Sequence, residues 1–186
     1  MVGISALLLP ILLSAVIVFV ASSLLHMVLT YHRSDYQKLP NEDAVGAAIR
    51  AGNAAPGQYL LPHMSMTEMR SPEGIEKFKK GPVAMLFLRQ SGAPGMGKNL
   101  VQWFVYSVVI GVFVAYVTGR TLGAGAAYLA VFRVAGTVAF LAYAAGAPID
   151  SIWRGQTWSA TVKAIVDGLV YALLTAGTFG WLWPKL

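Results

Sequence analysis

The stretches AAYLAVFRVAGTVAFLAYAAG (residues 126–146) and ATVKAIVDGLVYALLTAGTFGWLW (160–183) decide the fold. Each is long and apolar enough to cross a bilayer core of ~30 Å. The short connection between them makes the pair an antiparallel transmembrane hairpin. Each strand of that hairpin also carries charge: Arg133 in the first, Asp167 in the second, with Lys163 four residues before it. A charge in hydrocarbon costs at least ~2.5 to 3.5 kcal/mol on insertion scales, so it should face protein or water and have a partner.

The two charges can be placed by arithmetic. At ~1.5 Å per residue, Arg133 lies ~13 Å from the start of its span counted from Ala124, and Asp167 ~12 Å from the start of the returning span counted from Ser159. Across the core these depths differ by only ~5 Å, so an intramembrane ion pair between Arg133 and Asp167 is expected. Lys163, at i−4 on the same helical face, is the competing partner for Asp167. Beside the carboxylate runs a stripe of small residues, Gly168, Ala172, Ala176 and Gly180. Small side chains allow the close backbone approach that associates helices in lipid. The stripe is therefore a helix-packing face, for Ala126, Ala130 and Gly136 of the preceding span or for another subunit.

Composition agrees with a membrane class. Of 186 residues 56% are hydrophobic and 12% charged, with mean hydropathy +0.61, whereas soluble domains carry about a quarter charged residues. The fold class expected is an all-α integral membrane protein with four transmembrane helices. Its divisions are residues 1–29 as the first helix, 30–99 as a structured loop or cap with short helices, and 100–186 as a three-helix region with spans 100–118, 124–146 and 159–183. The first span has no basic residue ahead of it and an apolar run longer than a signal-peptide core, which reads as a retained anchor. With no cysteine, disulfides, thiolate zinc sites, iron–sulfur clusters and c-type haem are excluded.

The net charge of +6 reads as a topogenic and lipid-facing signal, not a nucleic-acid one, because the basic residues cluster next to the spans. Arg33, Lys38, Arg89, Lys98 and Arg154 lie on the side of the long loop, against Arg120 and Lys185 on the other. That places the loop in the cytoplasm and both termini outside a cell (inner) membrane. Trp103, Trp153 and Trp158 would anchor the inner interface, Trp181 and Trp183 the outer.

Within the loop, Glu42 and Asp43 open a short helix that Gly52 ends. SPEGIEKFKKG (71–81) has Ser71 as N-cap, Pro72 at the first helical position, late lysines, and Gly81 as a stop. Its lysine-rich face would lie on the inner leaflet, or the helix would pack within a small cap. Between the two helices GQYLLPHMSMTEM (57–69) reads as irregular or extended, and VAMLFLRQ (83–90) as a strand or an interfacial segment.

Four chemical signals are weighed against plainer readings. GAPGMGKN (92–99) matches GxxxxGK, but Asn99 stands where a Ser or Thr would hold Mg²⁺ and a membrane span follows. It is a turn, and neither nucleotide nor nucleic acid is expected as a partner. HMSMTEM (63–69) offers His63, Met64, Met66 and Met69, soft ligands suited to Cu(I), yet such residues also pack. Copper is thus an alternative, and otherwise no cofactor is expected. His32 and Asp35 share a helical face at i, i+3, while His26, six residues back, falls off it. No other span contains a His to complete a haem site, so interfacial hydrogen bonding is the expectation there. Finally, no nucleophile, base and orienter can be assembled, so no catalytic residues are assigned.

The function expected is that of a non-catalytic accessory or assembly subunit of a larger membrane complex, with the bilayer and other membrane subunits or copies of itself as partners. The alternative is a small oligomeric ion- or proton-coupled transporter or channel working through Arg133 and Asp167. Copper handling is the third reading.

Overall fold

The computed structural model describes residues 1–93 and 95–185. A 3₁₀ turn, Ile4–Leu7, leads into α1 (Leu8–Ser23), which continues as a π-helical turn, Leu24–Val28, and after a break as a 3₁₀ turn, Tyr31–Asp35. Then come α2 (Glu42–Ala51), β1 (Gly57–Leu61), α3 (Met66–Met69), α4 (Pro72–Lys80) and β2 (Ala84–Leu88). The chain finishes with α5 (Gly97–Thr121), α6 (Tyr128–Ala144), α7 (Pro148–Arg154) and α8 (Trp158–Trp181). Four helices are long and apolar enough to cross a membrane: Ile4–Val28, Gly97–Thr121, Tyr128–Arg154 and Trp158–Trp181.

The chain divides into two compact units, Met1–Tyr36 with Gly95–Leu186, and Gln37–Pro94. The second unit corrects the all-α expectation, because it holds an antiparallel two-stranded sheet in register from Gly57↔Leu88 to Leu61↔Ala84. β1 (GQYLL) lies between Pro56 and Pro62, and β2 (AMLFL) is separated by one residue from the Gly81–Pro82 stop; each is too short to bury a helical stripe but long enough to pair. Around the sheet the capping signals hold. Ser71 Oγ accepts from the Gly74 amide at 3.0 Å. The stretch expected to be irregular or extended instead ends in α3, which Ser65 and Glu68 open with a reciprocal capping box. Pro94, in the expected turn before α5, lies outside the described residues.

In the first unit, buried positions recur every three or four residues, as a helix with one inward face requires. On α1 they are Ile11, Ala15 and Val18; on α6 they are Val131, Ala135 and Ala139; on α8 they include Ala172, Ala176 and Phe179. The small-residue stripe of α8 is consumed inside the chain. A Cβ at Gly168 would stand 2.8 Å from Ala144 Cβ, one at Gly180 2.7 Å from the Tyr128 ring, and one at Gly136 3.1 Å from Ala176 Cβ. α6 and α8 thus run antiparallel at a separation that larger side chains would not permit.

These contacts also fix the axial register. Gly168 sits level with Ala144 and Gly136 with Ala176, so Asp167 is level with the end of α6. Arg133 falls about 12 residues, ~18 Å, further along the pair.

Residues 124–127, expected to open the third span, are held with Gly123 in a connection instead. The Trp183 indole donates to Gly123 O at 2.9 Å, and the Gly125 amide donates to Pro184 O at 2.9 Å. Trp183 is accordingly buried and not an interfacial anchor, while Trp153, Trp158 and Trp181 are exposed.

Candidate functional site

Asp167 is 4% exposed, and its partners come from the chain that leaves α1. The π-helical turn closes with the Leu29 amide donating to Leu24 O at 3.0 Å. Leu29 is then extended, at φ −76° and ψ 138°, and the chain doubles back through the 3₁₀ turn. This path stacks the His32 ring on His26, with centroids 4.5 Å apart and planes within 12°. Six-residue spacing would separate the two rings on a continuous α-helix; the wide turn and the break bring them together.

The two oxygens of Asp167 have different surroundings. Oδ1 accepts the Tyr31 hydroxyl. Oδ2 faces His32 Nε2 at 2.8 Å and His26 Nε2 at 3.7 Å. Behind the rings, His26 Nδ1 is 3.1 Å from Ser22 O, and His32 Nδ1 is 2.6 Å from Asp35 Oδ2. Ser22 is itself tied to α5 by the Trp103 indole, which donates to its Oγ at 2.8 Å.

Asp35 is held in turn by Lys163, whose Nζ donates to Asp35 Oδ1 at 2.5 Å, Ser34 Oγ at 2.8 Å and Tyr31 O at 2.7 Å. The Lys163 and His32 hydrogen bonds hold the Asp35 carboxyl below the usual carboxylate range. Burial, and then the hydrogen bond to Asp167, push the Tyr31 phenol above its ordinary value. Tyr31 therefore stays a donor to the carboxylate throughout the neutral range.

Two cavities meet at this centre. One, of about 440 Å³, is walled by Trp103, Tyr143, Tyr171, Met27 and Met96 together with His26 and Asp167. The other, of about 280 Å³, is more polar and takes in His32, Asp35 and Gln156 as well as His26 and Asp167. His26, Ala164 and Asp167 belong to both walls.

The expected pairing of Asp167 with Arg133 is not formed, and neither is the alternative with Lys163, which goes to Asp35. Arg133 is exposed, beside a shallow groove with Phe140, Leu169 and Leu173. Among the described residues its guanidinium has no hydrogen bond or ion pair. The late start of α6 is the cause, since it leaves Arg133 only ~7.5 Å inside the helix and far from Asp167 along the axis.

His63 borders a cavity with Gln58, Tyr59, Leu60 and Met85, and the wall beside it is not built from Met64, Met66 or Met69. Among the described residues, His26, His32 and Asp167 are the grouping whose ligand atoms converge, all within 4.8 Å of one another. One signal for this was present in the sequence. Asp35 and His32 leave the first span spaced by three, and Lys163 and Asp167 on the last span offer the complementary charges spaced by four.

The chain matches no protein-family model, no curated protein and no solved structure.

Proposed function

We propose that this chain is a multi-pass integral membrane protein that handles a cation at Asp167. The observation that carries the reading is the division of that carboxylate: one oxygen is fixed by Tyr31, and the other is turned toward two imidazole nitrogens in a wall shared by two cavities. A buried carboxylate met by a hydroxyl and two imidazole nitrogens, with no Lys or Arg ammonium or guanidinium on it among the described residues, is a place where a positive charge is stabilised. Four apolar helices with outward leucines and valines support membrane insertion. The positive-inside tendency supports a cytoplasmic location for the segment that includes residues 37–94.

The test is cation flux into liposomes containing the purified protein, followed with proton- and metal-sensitive dyes. Wild type is expected to conduct and Asp167→Asn to lose at least tenfold while remaining monodisperse. Equal flux in the two would sink this reading.

A second reading is supported by Arg133. An exposed charge within a candidate span fits an acidic partner on another membrane subunit, as well as snorkelling toward the nearby helix start. The small-residue stripe no longer supports that reading, because α6 fills it. If the chain is an accessory subunit, native purification in mild detergent recovers a larger complex, and Arg133→Leu dissociates it. Recovery of the same lone chain from both would end the subunit reading.

A further inference from the structure

We infer that His26, His32 and Asp167 bind a divalent first-row transition-metal ion, zinc(II) or iron(II), through His26 Nε2, His32 Nε2 and Asp167 Oδ2. This rests on the cation reading above and names the cation.

The argument begins with the ring nitrogens that face away from the carboxylate. Ser22 O is a carbonyl and can only accept, so His26 Nδ1 carries the hydrogen, and in the neutral ring Nε2 is a bare lone pair. That nitrogen lies 3.7 Å from Asp167 Oδ2, beyond hydrogen-bond distance. A cation between the two would be attracted by both. His32 differs in lying between two carboxylate oxygens, which accept: Nδ1 is 2.6 Å from Asp35 Oδ2, and Nε2 is at hydrogen-bond distance, 2.8 Å, from the same Asp167 Oδ2. The stacked rings, with centroids 4.5 Å apart, bring both Nε2 atoms to the same carboxylate oxygen. One ion there would be shared by both Nε2 atoms and the carboxylate.

The dimensions fit. A tetrahedral ion with bonds of ~2.0 to 2.1 Å sets its ligand atoms about 3.4 Å apart. The observed separations from Oδ2, 2.8 Å and 3.7 Å, lie on either side of that value, and all three ligand atoms lie within 4.8 Å of one another.

The surroundings are those of a ligand set. Metal-binding histidines commonly donate their second nitrogen to a carbonyl or carboxylate, which fixes the tautomer and the ring plane. Here each ligand has its own orienting partner: Ser22 O for His26, Asp35 for His32, and the Tyr31 hydroxyl for Asp167. Asp35 is anchored one step further out by Lys163.

Two nitrogens and one oxygen suit zinc(II) or iron(II). Such a set is too nitrogen-rich for Mg²⁺ or Ca²⁺ and lacks the sulfur that favours Cu(I). Three protein ligands leave further positions to water or to a molecule entering from either cavity. On binding, any proton on His32 Nε2 is released to solvent and the ion takes its place.

The experiment uses tag-free, metal-stripped full-length protein in detergent, titrated separately with Zn²⁺, anaerobic Fe²⁺, Mg²⁺ and Ca²⁺, with cobalt(II) absorption as a reporter of ligand geometry. One equivalent of zinc or iron is expected to bind, with no saturable uptake of Mg²⁺ or Ca²⁺. His26→Ala and His32→Ala should each weaken binding at least tenfold. His26 is the cleaner variant, since its side chain is 51% exposed and its loss leaves His32 and Tyr31 on Asp167. Tyr31→Phe, which keeps every ligand, should weaken binding by about tenfold through the lost orienting hydrogen bond.

Binding well below one equivalent, or binding unchanged in both histidine variants, overturns the assignment. Flux that depends on Asp167 without any metal uptake preserves the cation reading and removes the metal. Stoichiometric metal uptake without flux does the reverse.

Discussion

The α6–α8 pair carries Arg133 toward one end and Asp167, a turn beyond Lys163, toward the other, and the guanidinium and the carboxylate are treated in opposite ways. Asp167 is buried where three helices and the turn after α1 converge, with a hydroxyl and two imidazoles against it. Arg133, about 12 residues away along the same pair, stands on an outward face and touches no acid in this chain among the described residues. Both are charges inside apolar helices and draw the same inference from sequence. The difference is one of reach. A carboxylate has a short arm and must be met by its partners, whereas a guanidinium on three methylenes can lean along its helix toward the polar boundary.

The strongest test of this contrast is Asp167→Ala. It leaves the Tyr31 hydroxyl and the His32 ring facing an emptied pocket and removes one of the two ties between α8 and the turn after α1, the other being Lys163. A cost of ~3 to 5 kcal/mol is expected, as for a broken buried pair, read as a large drop in thermal midpoint in detergent. A cost no greater than that of Arg133→Leu would erase the distinction between the two ends.

Next in size is Gly168→Val. Its new Cβ meets Ala144 Cβ at 2.8 Å and Tyr143 C at 3.0 Å, so α6 and α8 must separate beside the carboxylate. Overpacking of this kind costs ~1 to 3 kcal/mol. The same denaturation series would show it, and an unchanged midpoint would mean that the close approach is not required.

Arg133→Leu should change the stability of the isolated protein by no more than about 0.5 kcal/mol, as at other exposed positions. A large destabilisation would reveal a partner for the guanidinium within the chain.

The smallest effect concerns an acid outside the helix pair. The Ser65 backbone and hydroxyl hold Glu68 below the usual glutamate range. A depressed carboxyl contributes stability that is present above its ordinary value of ~4.3 and is lost as pH falls through the lower folded value. Acidification below pH ~4 should therefore lower the protection of the Ser65 amide, relative to its intrinsic exchange rate, with little change elsewhere in that unit. Loss of protection already near neutral pH would contradict the capping box.

Much of this architecture could be read from the residues, and the failures have identifiable causes. The four apolar stretches lie within a few residues of the observed helices, and the Ser71 cap, Pro72 start and Gly81 stop of α4 fall where their chemistry requires. These are local signals, set by composition and by neighbours within one turn. Asp167 could be singled out as a site because burying a carboxylate is costly anywhere in a span.

Its partners could not be named, for two reasons. Depth counted from apolar boundaries assumed that Ala124 opens a helix, whereas the contacts from Trp183 and Pro184 hold that stretch in a connection. A period of 3.6 residues per turn sets which residues share a face, and Leu24–Val28 does not follow it. Both are tertiary effects without a local signature. The small-residue stripe shows the same limit, since spacing identified a packing face and only the opposing Ala144 and Tyr128 show whose face fills it.

The widened turn at Leu24–Val28 has a consequence for how this centre can change over time. Its extra residue sets the rotation of everything downstream, so deleting one position there would swing the following segment by ~100°. Tyr31, His32 and Asp35 would keep their identities and lose their aim. A gain or loss of one codon in an apolar stretch could thus create or abolish the centre, while comparison by aligned residue identity alone would record its members as intact.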